Sequence, residues 1–284
     1  MDSRNIYISF ANILTIGKIR SMVDCGENDY IKKKYNQFRD LIDPDVITYG
    51  DFLEYGYRLL GRSYRNEYVY KNQIVNRIIK KHSLKTSVIL NEFHVGNSIA
   101  DLIFLNGTDR AFEIKTEYDS EVRLLSQLSD YRKAFSRVYL VIPQSLLSRY
   151  ESMLDDSIGI ILLTDRNSLR EYKKAIPNYD YLNAETMMKC LRKEEYTDII
   201  RKMSVVPDTT PVRFFRACLE VFRSLPILEL HRQFIDTLKQ RKLHNYAYIE
   251  NEVPDSLKLL AVNLNPDSLQ CQEMNNVLTK AISI

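Results

Sequence analysis

Residues Ser98 to Tyr118 read S-I-A-D-L-I-F-L-N-G-T-D-R-A-F-E-I-K-T-E-Y, and the period of this stretch decides the fold. In its first half Ala100, Leu102 and Phe104 alternate with Asp101, Ile103 and Leu105, the two-residue repeat of a β-strand. Asn106-Gly107 is a tight-turn signal. Beyond it, period two sets Ala111, Glu113 and Lys115 on one face and Phe112 and Ile114 on the other. The two runs therefore predict a β-hairpin. A three-residue loop, Asn106 to Thr108, pairs Leu105 with Asp109 and sets Asp101 opposite Glu113 on the same face. A loop of two or four residues needs a bulge to keep them together.

Working outward, Glu67 to Lys81 carries Tyr70, Ile74, Ile78 and Ile79 at helical spacing, and a strand-like run from Thr86 to His94 follows it. After the hairpin, Glu121 to Phe135 repeats Leu124, Leu125, Leu128 and Tyr131 at intervals of three and four, with Asp119 or Ser120 as its cap. Arg137 to Ile142 is a continuous apolar run ended by Pro143, as suits a strand buried on both faces. A helix over Gln144 to Leu154 and a strand over Ile158 to Leu163 complete an order α-β-β-β-α-β with an added β, which predicts a mixed sheet flanked by helices. Upstream, Asn28 to Leu41 and Tyr49 to Leu60 read as helices; beyond Asp165 the β signal stops. Helices are expected over Asn183 to Met203, Pro211 to Leu225 and Pro226 to Leu243, with shorter patches after Pro254 and Pro266. The expected organisation is α/β: a helical lead-in over 1–63, an α/β core over 64–165 and a helical C-terminal region over 166–284.

The 284 residues can bury a sizeable core. No apolar run approaches the roughly 18 residues of a membrane span, and no secretory signal is apparent, so a cytoplasmic protein without membrane contact is expected. Cys25, Cys190, Cys218 and Cys271 lie far apart without C-x-x-C spacing, which argues against a zinc site or a disulfide framework. The four histidines show no metal spacing, and with Gly at eight residues there is no phosphate loop. Net charge is +3, too small to indicate a nucleic-acid partner by itself. Arg166 to Asn245 holds sixteen Lys or Arg against ten Asp or Glu, a bias that a solvated helix face explains as well as a phosphate track.

Two carboxylates and an ammonium on one hairpin face suit the hydrolysis of a phosphodiester, which needs a nucleophile at neutral pH and neutralisation of transition-state charge. A hard cation such as Mg²⁺ keeps several waters and takes oxygen ligands, so Asp101, Glu113 and the backbone carbonyl of Ile114 make a sufficient protein contribution. Lys115 is then placed to orient the attacking water. Asp101 followed by Glu113-Ile114-Lys115, in the order α-β-β-β-α-β, resembles the PD-(D/E)XK nuclease superfamily. Glu67 on the preceding helix and Gln127 with Tyr131 on the following one resemble it further; spacing of i and i+4 puts the last two on one helix face. The string from Glu113 through Tyr131, with Asp119 and Arg123-Leu124, is more specifically similar to an uncharacterised bacterial subgroup of that superfamily, over about Tyr64 to Pro143. Ala100 stands where the superfamily often has proline, and Ile99 where a basic residue is common.

The resemblance implies a restriction-endonuclease-like core and a Mg²⁺-dependent nuclease, with Mn²⁺ as a substitute, acting on DNA in preference to RNA, in bacterial or phage defence. Asp101 and Glu113 would be metal ligands, Lys115 the catalytic lysine, Glu67 an auxiliary acid, Gln127 and Tyr131 further site residues, and Arg123 and Asp119 substrate contacts. Each has a plainer reading beside it: Glu67 as a first-turn helix Glu, Asp119 as a cap, Tyr131 as core, Arg123 as an exposed helix residue. Glu92 reads as a solvent-facing strand residue or as a further carboxylate near the metal. The rival function is a non-catalytic interaction protein that uses the fold as a scaffold. On the nuclease reading the helical C-terminal region is expected to bind substrate, a protein partner or a second copy; on the rival reading it docks a partner.

Overall fold

The computed structural model describes residues 3–283, which form a mixed α/β protein with one six-stranded mixed sheet and many helices. The chain divides into two compact units that interleave in sequence. The first comprises Met1–Lys85, Arg166–Leu169 and Leu243–Ile284; the second comprises Thr86–Asp165 and Arg170–Lys242. Residues 64–85 thus fall with the helices of the first unit, and the stretch 166–284 is shared between the two. Among the described residues no helix is long and apolar enough to cross a membrane.

The first unit is helical: α1 (Ser3–Ile13), α2 (Ile16–Cys25), α3 (Asp29–Phe38), α4 (Tyr49–Ser63) and α5 (Glu67–Lys81), joined by C-terminal helices Tyr246–Asn251, Lys258–Leu264 and Ser268–Thr279. A capping box starts α4, where Thr48 accepts from Asp51 N–H and Asp51 accepts from Thr48 N–H. Asn66 caps α5 by accepting from Val69 N–H, and Lys80 and Lys81 suit its C-terminal end. The buried stripe of α5 holds Tyr70, Ile74 and Ile78 as expected, but Val75 is buried with them while Ile79 is half-buried. Two buried amides tie in the C-terminal stretch. Asn72 donates to the Asp255 carbonyl and accepts from Leu259 N–H, and Asn76 donates to the Asp255 carbonyl as well.

The second unit is built on β1 (Val88–Val95), β2 (Ser98–Leu105), β3 (Asp109–Ile114), β4 (Arg137–Pro143), β5 (Gly159–Leu163) and β6 (Leu169–Lys173), in spatial order β1-β2-β3-β4-β5-β6. β1, β2 and β3 pair antiparallel, whereas β3, β4 and β5 pair parallel. Helix α6 (Leu124–Arg132) joins β3 to β4 and α7 (Leu147–Glu151) lies between β4 and β5; α8 (Ala184–Lys189), α9 (Lys193–Met203), α10 (Pro211–Ser224) and α11 (Ile227–Leu238) follow. One apolar core joins the sheet to α6 and α8–α11, with Leu128, Met187, Ile199, Phe222 and Phe234 among its members.

The β signal was expected to end at Asp165, yet β6 adds a sixth strand. Its residues L-R-E-Y-K are exposed or half-buried, so no apolar alternation marks it. The helix expected over Glu121 to Phe135 is shorter, because Asp119 closes a turn on Thr116 instead of capping α6. The single helix expected over Asn183 to Met203 is two, α8 and α9.

Candidate active site

The hairpin has the expected register. Leu105 pairs with Asp109 across a three-residue loop whose Gly107 has φ 95°, and pairing runs back through Phe104↔Arg110 and Ile103↔Ala111 to Leu102↔Phe112. One step further sets Asp101 opposite Glu113. There the ladder gives way to a side-chain bond, since Asp101 Oδ2 accepts from Ile114 N–H at 2.7 Å. Within an antiparallel pair a residue turns its N–H and C=O toward the same neighbour. The Ile114 carbonyl therefore faces the β2 side, beside Asp101 and past the last paired residues. On its other edge β3 hands Lys115 N–H to the Val141 carbonyl at 2.9 Å. Pro143 has no N–H with which to extend that ladder, and the chain leaves the sheet.

Side chains from β3 and α6 meet at this end of the sheet. Lys115 Nζ lies 2.7 Å from Glu113 Oε1 and 3.0 Å from Gln127 Oε1. Tyr131 Oη lies 2.5 Å from Glu113 Oε2 and 2.7 Å from the Ile99 carbonyl. A phenol has one proton to donate. The ionised carboxylate is the stronger acceptor and takes it. Burial raises the Tyr131 phenol well above its ordinary value, and the negative charge of Glu113 raises it further, so it remains a donor across the neutral range. Glu113 is 2% exposed and Lys115 9%, which makes this a nearly buried ion pair with every partner supplied by side chains.

Helix α6 is held at the right height by its own polar side chains. Asp130 Oδ2 accepts from Asn97 N–H at 3.2 Å and from Ser98 Oγ at 2.8 Å, binding the helix to the β1–β2 turn. Gln127 and Tyr131, one helical turn apart, then reach the pair from the same side. The role of Asp130 was not visible in the sequence, because a helical Asp with Lys133 three residues on reads as a surface pair.

The structure brings together Asp101, Glu113, Lys115, Gln127 and Tyr131. Asp119 Oδ2 accepts from both Thr116 N–H and Thr116 Oγ at 2.7 Å, fixing the turn that follows Lys115. Arg123 is exposed at the start of α6, and its guanidinium has no partner among the described residues. Glu67 stands in the first unit, where its half-exposed carboxylate pairs with Lys71 Nζ at 2.5 Å. The oxygens suited to a hard cation are those of Asp101 and Glu113 with the Ile114 carbonyl. Among the described residues no group of three or more His, Cys, Asp or Glu side chains is arranged to hold a metal ion.

Comparison with known proteins places the chain. The family profile described as bacteriophage P4 protein cII matches residues 61–270, more than half of its length. The chain belongs to the phage P4 cII family. Protein cII of Enterobacteria phage P4 is 29% identical over 178 residues, covering 61% of this chain and 66% of that protein. This cII family member therefore spans just under two thirds of the relative's length. No solved structure matches it. The family match contains the whole sheet unit, and with it the Asp101–Glu113–Lys115 cluster of this cII member.

Proposed function

We propose that the protein is a Mg²⁺-dependent phosphodiesterase of the PD-(D/E)XK type, acting on DNA through a restriction-endonuclease-like core. The observation that carries this reading is the convergence of Asp101, Glu113, Lys115 and Gln127 at the end of one hairpin, with a buried lysine bonded to a buried carboxylate. A fully solvated surface pair would not need that burial. The donor set fits a hard cation, since Mg²⁺ retains several waters and needs only one or two carboxylates from the protein. Asp101, Glu113 and the Ile114 carbonyl would hold it. When bound, such an ion lowers the pKa of a coordinated water and offsets charge on the phosphoryl oxygens.

The protein's own groups supply the rest. Lys115 presents an ammonium that can orient the attacking water and stabilise the phosphorane-like transition state. Gln127 holds Nζ in place, and Tyr131 orients the Glu113 carboxylate through its far oxygen. Arg123, exposed at the start of α6, is a cation available for a flanking phosphate. Preference for DNA over RNA and a place in phage or bacterial defence come from the resemblance alone.

One observation favours a non-catalytic scaffold instead: both Glu113 oxygens are already satisfied by protein donors. The two readings part in one experiment. Purified protein is incubated with plasmid, linear and single-stranded DNA and with RNA, in Mg²⁺ or Mn²⁺, beside EDTA and Lys115→Ala controls. Cleavage that requires both the metal and Lys115 supports the nuclease; cleavage indifferent to Lys115 is contamination, and no cleavage of any substrate favours the scaffold.

A further inference from the structure

Strand β4 sends Val138, Leu140 and Ile142 into the core on the α6 side, the undisturbed two-residue repeat. Strands β1 and β2 do not keep it. On β1 the core-facing residues are Val88 and Leu90 and then Phe93 and Val95; on β2 they are Ala100 and then Ile103 and Leu105. Each strand slips by one residue, at the same level, because the pairs Leu90↔Ile103 and Phe93↔Ala100 bracket Glu92 and Asp101. Pairing has the same register on both sides of the slip, so this is not a bulge that adds a residue to one strand.

The backbone shows where the slip originates. Glu92 has φ 52°, in the left-handed region. The other non-glycine residues at positive φ, Asn167 and Asn265, are of a type that tolerates it, whereas a glutamate within a strand is strained there. Had the alternation through Ala100 continued, Asp101 would point to the opposite face and Ile114 N–H would lose its acceptor. We propose that the left-handed backbone at Glu92 lets the start of β2 bury Ala100 on the core face while the hairpin register keeps Asp101 on that same face beside Glu113 and Lys115, which makes Glu92 a positioning residue for the site. Its catalytic meaning rests on the nuclease reading; its structural part does not.

The test uses Glu92→Gly, Glu92→Asn, Glu92→Ala and Glu92→Val in the full chain, with two readouts. The first is the backbone amide of Ile114 in protein labelled at isoleucine, whose chemical shift and exchange protection report the bond to Asp101. The second is the cleavage rate. Glycine and asparagine accept positive φ and keep both readouts at wild-type values. Valine, β-branched, shifts the Ile114 amide and lowers cleavage by about 100-fold, the scale expected when a site residue is displaced by about 1 Å. Should the valine variant not fold, alanine shifts the amide in the same direction by a smaller amount. Unchanged Ile114 signals in both the alanine and valine variants overturn the proposal. So does a glycine variant that keeps the amide signal and loses cleavage, since the carboxylate itself would then be the active feature. If the wild type cleaves nothing, the nuclease reading falls and the Ile114 amide still decides the role of Glu92.

Discussion

Removing the ammonium of Lys115 should destabilise the protein far more than breaking a surface ion pair. Nζ and Glu113 Oε1 are 2.7 Å apart, and both residues are at least nine-tenths buried. At an effective dielectric near 20, unit charges at that separation attract by about 6 kcal/mol. Desolvation of the two ions, at several kcal/mol each, offsets most of this, so the intact pair contributes little net stability. Breaking it is different, because Glu113 is then left buried without its cationic partner, with Tyr131 as its remaining side-chain donor. Lys115→Met is therefore expected to cost about 3–5 kcal/mol, and Gln127→Leu, which removes one acceptor from the ammonium, about 1.5–3 kcal/mol. The double variant Glu113→Gln/Lys115→Met should recover most of the loss of the single one. Urea unfolding followed by circular dichroism and by tyrosine fluorescence measures all three. A loss below about 1 kcal/mol for Lys115→Met, the range of exposed pairs, refutes the burial argument. The same titration guards the cleavage assay, since an unfolded Lys115 variant would lose activity without informing on chemistry.

Asp109 is buried, and although burial works to raise its pKa, the His231 imidazole, whose Nε2 lies 3.5 Å from Oδ2, and the donors of Ser136 outweigh it and leave it lowered. A lowered folded value contributes stability above the unfolded carboxylate value, near 4, and that stability is lost as pH falls through the folded value. Urea midpoints should thus fall on the acid side below about pH 4, and Asp109→Asn should flatten that limb; an unchanged acid limb refutes the assignment. Gly56 faces Phe10, whose Cδ1 lies 2.1 Å from where a β-carbon would stand, so Gly56→Ala should destabilise by about 1–3 kcal/mol, measured by the same unfolding. Asn72→Ala removes the amide that bonds the Asp255 carbonyl and Leu259 N–H and should cost about 2–3 kcal/mol. A near-neutral result would mean that the C-terminal helices are not integral to the first unit.

Much of this was legible in the sequence, and the reasons differ by element. The Asn106–Thr108 turn and the alternation on either side constrain the hairpin twice over, which is why its register could be read to the residue. Gln127 and Tyr131 came from the superfamily resemblance, and helical spacing put the two on one face. β6 could not be read, because an exposed strand carries no apolar alternation. Nor could the destination of the C-terminal helices: an amphipathic pattern shows that a face is buried, not what covers it. Asn72 and Asn76 look like polar positions on α5, yet their partners lie some 180 residues on. Glu67 keeps both its readings, since a first-turn Glu that suits the helix dipole and pairs with an i+4 lysine is compatible with either.

The slip at Glu92 divides β2 into two phases. Reading Ser98 to Leu105 as one phase puts Asp101 with Ile103 and Leu105 on one face and Ala100 with Leu102 on the other. In the folded strand Ala100 shares the core face with Ile103 and Leu105. The phase is right only from Asp101 onward, so Asp101 was placed correctly by the half of the strand that follows it. Nothing in the letters of Thr86 to His94 marks the change, because glutamate is not a residue that announces a positive φ. A strained residue one strand away is therefore what reconciles the two halves of β2. It also explains how a single hairpin can bury Ala100 on the core face and still turn the next side chain, Asp101, toward Ile114 on that same face.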